Sequence, residues 1–434
     1  MIDEQTALKI IESTVFRTVG CTEPVAVALA AASAYRQIGG EIDAVEITLD
    51  RNVYKNALNV GIPGTDRKGI RFAVALALIC GDPAQGLTLL ETSTREDLVQ
   101  AEALFERRLI ALHLNEEATD VYINVKISTD RGTATALIQG CHDNIILIKK
   151  NEEVVHRGGK SAAASGAPAV DALPSLTDLS IADLLGLVER LPEESIAFLN
   201  EGVTVNLAAA EAGLAAKAGL GLGAALDKLR REGLLADSFL NRLKIAASAA
   251  ADARMGGLKV PIIGAGGSGN HGITFFSTVG LAYENLPVLP EISLNRALAL
   301  GILILADIKQ HTGLLTPICG CAVAAGAAAA AAIAYAMAGP DPKRILAAVN
   351  LVLGNVAGEV CDGAKYGCSL KINTSAGAAV ESALLALQDV EVPASDGIVG
   401  TSLGESLRNL ALLHKQGMEH VDETILTILF EKAV

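Results

Sequence analysis

The spacing of apolar residues divides the chain of 434 residues into two parts. Near the start, residues 5–19 and 24–37 carry apolar residues at helical spacing, and turn-forming residues from Gly20 to Pro24 interrupt them. We therefore predict two helices separated by a short break.

Alternation between apolar and polar residues predicts strands farther along the first part. Residues 44–49 alternate in this way, and Asp130 to Gly132 is typical of a hairpin turn. Strands are predicted near 121–127, 133–139 and 144–149, with Val121, Ile123, Val125 and Ile127 on one face. We expect an antiparallel sheet with helices on one face.

Beyond this sheet the pattern changes to helical spacing. Residues 156–178 are rich in Gly, Ala, Ser and Pro and are predicted to be a linker. The Ala-rich stretch 322–338 predicts a buried central helix, because small side chains let neighbouring helices approach closely. The predicted fold class is α+β, with a mixed helix and antiparallel-sheet N-terminal region, residues 1–178. An all-α C-terminal helical domain, residues 179–434, follows it.

Composition argues against several classes of function, among them nucleic-acid binding and membrane transport. The formal net charge of −14 argues against nucleic acid and anionic membrane surfaces as partners, since both need basic patches. The uncharged run from Cys321 to Met337 is mostly alanine, which spans a bilayer poorly, so a membrane transporter is disfavoured. The N-terminus has no signal-peptide pattern, and seven scattered cysteines do not form a disulfide framework. We expect a cytoplasmic protein with a small-molecule substrate, and the sequence leaves a homodimer open.

Four of the seven cysteines lie in the last third of the chain. Cys319 and Cys321 precede the Ala-rich helix, and Cys361 and Cys368 bracket a loop with two glycines. Soft thiolates select iron–sulfur clusters or zinc. Cys321, Cys361 and Cys368 could hold three corners of a cluster and leave a fourth iron open. With Cys319 as fourth ligand, the same residues could instead form a closed zinc site, and buried cysteines can also be plain core residues.

Cys21 follows Gly20 and precedes a predicted helix. The partial positive charge of free N–H groups at a helix N-terminus stabilises a thiolate. A shift of the thiol pKa from about 8.5 to about 7 would leave roughly half the thiol ionised at neutral pH. Cys21 is therefore a candidate general base, and the alternative is a buried structural thiol. Cys80 and Cys141 have no such context.

The segment 264–272 reads GAGGSGNHG and formally matches a dinucleotide-binding motif. Pro261 interrupts the preceding strand and helices follow, so we discount that interpretation. A nest of backbone N–H groups with Ser268 and Asn270 could hold a substrate carboxylate beside the helix that starts near His271, and a plain loop is the alternative. Lys55 and Asn56 follow a strand and could reach the same site or form a surface turn.

Several motifs together resemble one family. They are, in order, GCTEP, YKNALNVGIPGT, GSGNHG, CGC before an Ala-rich helix, and EVCDGAKYGCSLK. As a set they resemble the L-cysteine desulfidase family, which is related to the α-chain domain of iron–sulfur L-serine dehydratases. The resemblance runs over nearly the whole chain.

The resemblance implies a cytosolic lyase without PLP that converts L-cysteine to pyruvate, ammonia and hydrogen sulfide. It implies a [4Fe-4S] cluster on Cys321, Cys361 and Cys368, with Cys21 as the base. We predict substrate contacts from Ser268, Gly269, Asn270, His271, Lys55 and Asn56. The alternatives are serine or another β-substituted amino acid as substrate, and a non-catalytic metal-binding protein.

Overall fold

The computed structural model describes residues 2–118, 121–158 and 174–432, so the middle of the predicted linker lies outside the described residues. The helices are α1 (Glu4–Thr14), α2 (Thr22–Ile38), α3 (Arg51–Ala57), α4 (Ile70–Cys80), α5 (Arg95–Glu106), α6 (Ile181–Arg190), α7 (Glu193–Ile196), α8 (Asn200–Ala216), α9 (Leu222–Arg231), α10 (Phe239–Met255), α11 (Gly269–Gly272), α12 (Thr278–Asn285), α13 (Leu294–Thr312), α14 (Val323–Ala338), α15 (Pro342–Val356), α16 (Cys368–Ala386), α17 (Leu403–Leu412) and α18 (Val421–Lys432). The strands are β1 (Val15–Val19), β2 (Ile42–Leu49), β3 (Ile110–Leu114), β4 (Tyr122–Thr129), β5 (Gly132–Gln139), β6 (Ile145–Lys150), β7 (Glu153–Arg157) and β8 (Pro261–Ala265). The predicted α+β class is confirmed.

Six strands form one sheet in the order β3-β2-β4-β5-β6-β7. The predicted half-buried strand is confirmed, since Ile123, Val125 and Ile127 are fully buried and Lys126 between them is exposed. Helix α2 packs on β4 and β5, and α4 packs on α2. The sheet differs from the prediction at one pair, because β2 and β3 are parallel. Helices α3, α4 and α5 supply the crossover that parallel strands require.

Helix α14 occupies the centre of the helical part and packs against α13, α15 and α16. Its residues are buried from Val323 to Ala336, which confirms the predicted central helix. The approach of α16 is so close that a Cβ on Gly326 would lie 2.4 Å from the Ser375 hydroxyl oxygen. None of the described helices combines the length and the apolarity that crossing a bilayer requires.

The predicted helix 5–19 is wrong in its last five residues. Residues Val15–Val19 form β1, which pairs antiparallel with β8, so that Val19 lies opposite Pro261. Residues 15, 18 and 19 are β-branched, and backbone pairing with a distant strand outweighs the local helical spacing. The pairing brings Gly20, at the end of β1, to the start of β8 and thus close to the end of α10.

The two ends of the chain pack across the predicted division at residue 178. Ile10 and Ile11 of α1 belong to the core of the helical part. In return, Leu426 of α18 belongs to the core around the sheet, and the rings of Phe430 and Tyr54 lie 5.3 Å apart. The division into residues 1–178 and 179–434 stays a prediction. Helix α1 packs in the helical part and helix α18 packs on the sheet part, so the two parts are joined by their terminal helices.

Candidate active site

One cavity collects side chains from both parts of the chain. The N-terminal part contributes Cys21, Glu23 and Asn56. The helical part contributes Arg254, Gly267, Ser268, Asn270, His271, Lys309, Leu314, Leu315, Thr316, Ile318, Cys319, Gly320, Cys321, Cys361, Gly363, Ala364, Cys368 and Lys371. Eight of the ten predicted site residues therefore line one cavity, and Gly269 and Lys55 do not.

A short antiparallel bridge places the cysteine segments side by side. The Cys319 N–H donates to the Glu359 carbonyl at 2.7 Å, and the Cys361 N–H donates to the Pro317 carbonyl at 2.7 Å. Cys321 follows one turn later, directly before α14. The CGC turn and the start of the next cysteine loop are thus held together by backbone hydrogen bonds.

The loop from Cys361 to Cys368 depends on a glycine. Gly363 has a φ of +92°, and a Cβ there would lie 2.6 Å from the carbonyl oxygen of Lys55. The Cys368 N–H donates to the Lys365 carbonyl at 3.0 Å and begins α16. The tight loop turns both of its cysteines to the cavity.

The thiols at the cavity perturb one another because they are buried together. A hydrogen bond with Cys321 lowers the pKa of Cys319 to about 7. The same bond, together with burial, raises the pKa of Cys321 well above its ordinary value. Burial also raises the pKa of Cys361, and that of Cys368 to about 12. A coordinated metal would deprotonate these thiols, so metal loading releases protons and depends on pH.

Two lysines provide positive charge beside the thiols. Lys309 of α13 is buried and donates to the Leu314 carbonyl at 2.9 Å, and burial lowers its pKa to about 8. Lys371 of α16 donates to Asp362 at 2.6 Å. Burial acts to lower the pKa of Lys371, but the bond to Asp362 raises it overall. Cations at this position favour the thiolate form that metal binding needs.

The donor set fits an iron–sulfur cluster. Cys321, Cys361 and Cys368 offer three soft sulfur ligands around one cavity, with cations beside them. Among the residues that the structure describes, no three His, Cys, Asp or Glu side chains are grouped so as to hold a single metal ion. Three thiols that line one cavity can serve as the three protein ligands of such a cluster.

Cys21 lies at the N-terminus of α2, as predicted, but its pKa is not lowered. Its Sγ–H donates to Glu23 Oε2 at 3.1 Å, and Asn56 Nδ2 donates to Glu23 Oε1 at 3.0 Å. Burial and then the charge of Glu23 raise the pKa of Cys21 well above its ordinary value, and Arg254 opposes this only in part. The expectation of a readily ionised thiol is wrong, because desolvation outweighs the partial charge of the helix end.

The GSGNHG segment forms the turn before α11. The Ser268 hydroxyl accepts the Asn270 N–H at 3.3 Å and caps the helix. Burial lowers the pKa of His271 to about 3, so its ring is neutral, and Nδ1 bonds the Gly266 carbonyl at 3.1 Å. A Cβ on Gly320 would lie 2.5 Å from His271 Nε2. The ring thus fills the space against the CGC turn.

Arg254 is a buried cation that the sequence analysis did not select. Its side chain comes from the end of α10, and the residue is 2% exposed. Nε donates to the Gly20 carbonyl at 3.0 Å, and Nη1 donates to Asn270 Oδ1 at 3.0 Å. Gly269, a predicted substrate contact, instead leaves room for Arg254, since a Cβ there would lie 2.4 Å from Nε. The sequence signal that could have identified Arg254 is an arginine that follows the alanine-rich stretch of α10. Glu23, Lys309 and Lys371 were also missed.

Lys55 lies behind the cysteine loop, outside the cavity wall. Its side chain is fully buried, and its ammonium group pairs with Asp422 of α18. Its carbonyl oxygen lies against Gly363. The structure therefore gives Lys55 a contact with the C-terminal helix, and its predicted substrate contact stays a prediction.

Comparison with known proteins identifies the family. The family model described as serine dehydratase alpha chain matches residues 84–427. The chain belongs to the serine dehydratase alpha chain family. A UPF0597 protein of Clostridioides difficile is 37% identical over 422 residues, which cover 97% of this chain and 98% of that protein. A UPF0597 protein of Desulfatibacillum aliphaticivorans is 39% identical over 419 residues, which cover 95% of each.

The serine dehydratase alpha chain match covers only part of the cavity wall. Residues 84–427 include Arg254, the GSGNHG turn and the cysteines that could hold a cluster. Cys21, Glu23 and Asn56 precede the match, but the alignments with whole relatives cover nearly the entire chain. Membership places the protein among lyase-type enzymes of iron–sulfur character.

Proposed function

We propose that this protein is an L-cysteine desulfidase, a PLP-independent iron–sulfur lyase. It converts L-cysteine to pyruvate, ammonia and hydrogen sulfide by α-proton removal and β-elimination. The observation that carries the proposal is the shared cavity, which Cys321, Cys361 and Cys368 line together with Cys21 and Glu23. Membership in the serine dehydratase alpha chain family supports it.

Cys321, Cys361 and Cys368 would hold a [4Fe-4S] cluster. When bound, the cluster supplies an open iron, a Lewis acid for the leaving group, and such help is worth several kcal/mol. Lys309 and Lys371 stabilise the negative charge of the thiolates. The neutral ring of His271 fills the space against Gly320.

Cys21 and Glu23 would share the proton-transfer step. The Cys21 thiol proton points to Glu23 Oε2, while Asn56 holds Oε1. The carboxylate takes the thiol proton, and the freed sulfur takes the α-proton of the substrate. The raised pKa keeps Cys21 protonated in the resting site, and a thiolate formed by transfer to Glu23 is a stronger base toward the α-proton.

The electron pair of the broken Cα–H bond forms the Cα=Cβ bond, and the β-substituent leaves with its own pair. The leaving group takes up the proton held by Glu23, so Glu23 returns to the carboxylate and Cys21 keeps the α-proton as its thiol. The product is aminoacrylate, which tautomerises to an imine and is hydrolysed to pyruvate and ammonia. General-base help of this kind typically contributes about 10²–10⁴ in rate.

Serine is the second candidate substrate, because the matching family is described as a serine dehydratase alpha chain. The same elimination would then release water, with a hard hydroxyl as the leaving group. A soft thiolate binds iron with sulfur ligands more favourably than a hydroxyl does, so we favour cysteine.

The test is an anaerobic assay of protein with measured iron content. We expect sulfide and pyruvate from L-cysteine at a higher kcat/KM than pyruvate from L-serine. The reverse order would assign serine, and no product from either amino acid would favour a non-catalytic metal-binding protein. A Cys21→Ala variant should keep the iron and its absorbance but lose turnover, and an unchanged rate would refute the role of Cys21.

A further inference from the structure

Arg254 carries a buried positive charge that has only neutral partners. Its guanidinium donates to the Gly20 carbonyl, to Asn270 Oδ1 and, at 3.5 Å, to the Thr22 hydroxyl. Within the described part of the chain, no carboxylate forms an ion pair with it. Lys55, a buried cation nearby, has Asp422 as its partner, and Lys309, also buried, is bonded to the Leu314 carbonyl and acts on the cavity thiols.

A buried charge without a counter-charge is costly, so such charges are normally paired in folded proteins. Arg254 borders the cavity, and a guanidinium has five N–H donors, of which three are used by these bonds. The geometry leaves donors for a ligand that brings a negative charge. A carboxylate is the planar acceptor that an arginine fork binds best.

The surrounding residues hold the guanidinium in place before any ligand binds. The Gly20 carbonyl fixes Nε, the Asn270 amide fixes Nη1, and Gly269 leaves the space that the guanidinium occupies. Such preorganisation lowers the entropy cost of binding. Asn270 therefore positions Arg254, and its own amide oxygen is not available to the substrate.

We propose that Arg254 binds the α-carboxylate of the substrate, which restricts the site to small α-amino acids with a free carboxylate. The proposal rests on the proposed function. Arg254 Nε donates to the carbonyl of Gly20, the residue before Cys21, so a carboxylate on the guanidinium brings its α-carbon beside the base. Two other cations line the cavity in the described part of the chain: Lys309 is bonded to the Leu314 carbonyl and acts on the thiols of Cys319, Cys321 and Cys361, and Lys371 is paired with Asp362.

The test measures binding without turnover. L-Alanine has no leaving group, and L-alaninamide replaces its carboxylate with a neutral amide of nearly the same shape. Calorimetry on anaerobically purified holoenzyme should show L-alanine binding on the order of a hundredfold more tightly than L-alaninamide. Arg254→Gln should reduce this ratio to within about threefold, and Arg254→Lys should keep an intermediate ratio. Arg296→Gln is the matched control, since Arg296 pairs with Glu193 away from the cavity.

An Arg254→Gln variant that keeps the wild-type ratio would overturn the proposal. So would wild-type protein that binds both ligands equally, a result that does not depend on whether any variant folds. Iron content and thermal unfolding establish that each variant is intact.

Kinetics separate this proposal from the proposed function. A holoenzyme that binds L-alanine selectively but releases neither sulfide nor pyruvate refutes the proposed function and leaves the carboxylate contact standing. A holoenzyme that turns over L-cysteine, with KM unchanged in Arg254→Gln, refutes the carboxylate contact alone.

Discussion

Replacing Glu23 by glutamine should nearly abolish turnover and leave the cluster intact. Glutamine keeps the size of the side chain and an acceptor for Asn56, but it removes the carboxylate that accepts the Cys21 thiol at 3.1 Å. If Glu23 receives the thiol proton, the loss equals a general-base contribution of about 10²–10⁴ in kcat. That factor corresponds to about 3–5 kcal/mol of activation free energy. Stability should fall by only about 1 kcal/mol, because one buried hydrogen bond changes its acceptor.

The assay is anaerobic pyruvate and sulfide release, with iron content and urea unfolding measured on the same samples. Glu23→Asp tests geometry separately, since it keeps the charge but draws it back from Cys21. Glu201→Gln is the control, because Glu201 pairs with Arg17 on the surface. A Glu23→Gln variant with kcat within about twofold of wild type would refute the shared proton transfer, since general-base loss costs far more.

Three further predictions concern the surroundings of the cavity. Gly363→Ala should lower the iron content per chain, because its Cβ would strike a backbone oxygen, whereas Gly358→Ala, with open space around it, should not. Lys55→Met leaves the carboxylate of Asp422 without its partner and should reduce the free energy of unfolding by about 3 kcal/mol in urea titrations; a loss below about 1 kcal/mol would place this pair with ordinary surface ion pairs. Burial lowers the pKa of His414 from 6.5 to about 4. The unfolded chain therefore binds a proton that the folded protein excludes, and stability should fall by about 3 kcal/mol as pH drops from about 6.5 to 4. Because buried His271 adds a slope of the same sign, His414→Gln should reduce the loss of stability across that range by about 3 kcal/mol without removing it, and an unchanged slope in thermal unfolding would contradict the assignment.

The spacing of apolar residues was sufficient to predict a helix or a strand where the apolar positions are the buried ones. The strand around Val125 and the Ala-rich helix from Val323 were predictable, because each has a period that matches one buried environment. Residues Val15–Val19 were not, since their partner strand lies far along the chain and supplies the hydrogen bonds that decide the conformation. The packing of α18 against the sheet region is also a long-range event that no local spacing reveals.

Some residues of the candidate site could likewise be predicted from the sequence, and others could not. Cys321, Cys361 and Cys368 were found by residue type, because thiols are few and soft sulfur ligands indicate a metal site. Arg254 was missed because its importance lies in what surrounds it, a buried wall of neutral groups. The pKa of Cys21 was predicted in the wrong direction, because water exclusion and the nearby charge of Glu23 depend on tertiary structure.

Iron and sulfide content of anaerobically purified protein tests the central claim most directly. The wild type should contain about four iron atoms per chain, with the absorbance of an iron–sulfur cluster. Single alanine substitutions at Cys321, Cys361 and Cys368 should each remove most of that iron, while Cys80→Ala, outside the cavity, should retain it. Wild-type protein that carries zinc in place of iron, or substituted proteins that keep a full cluster, would contradict the account.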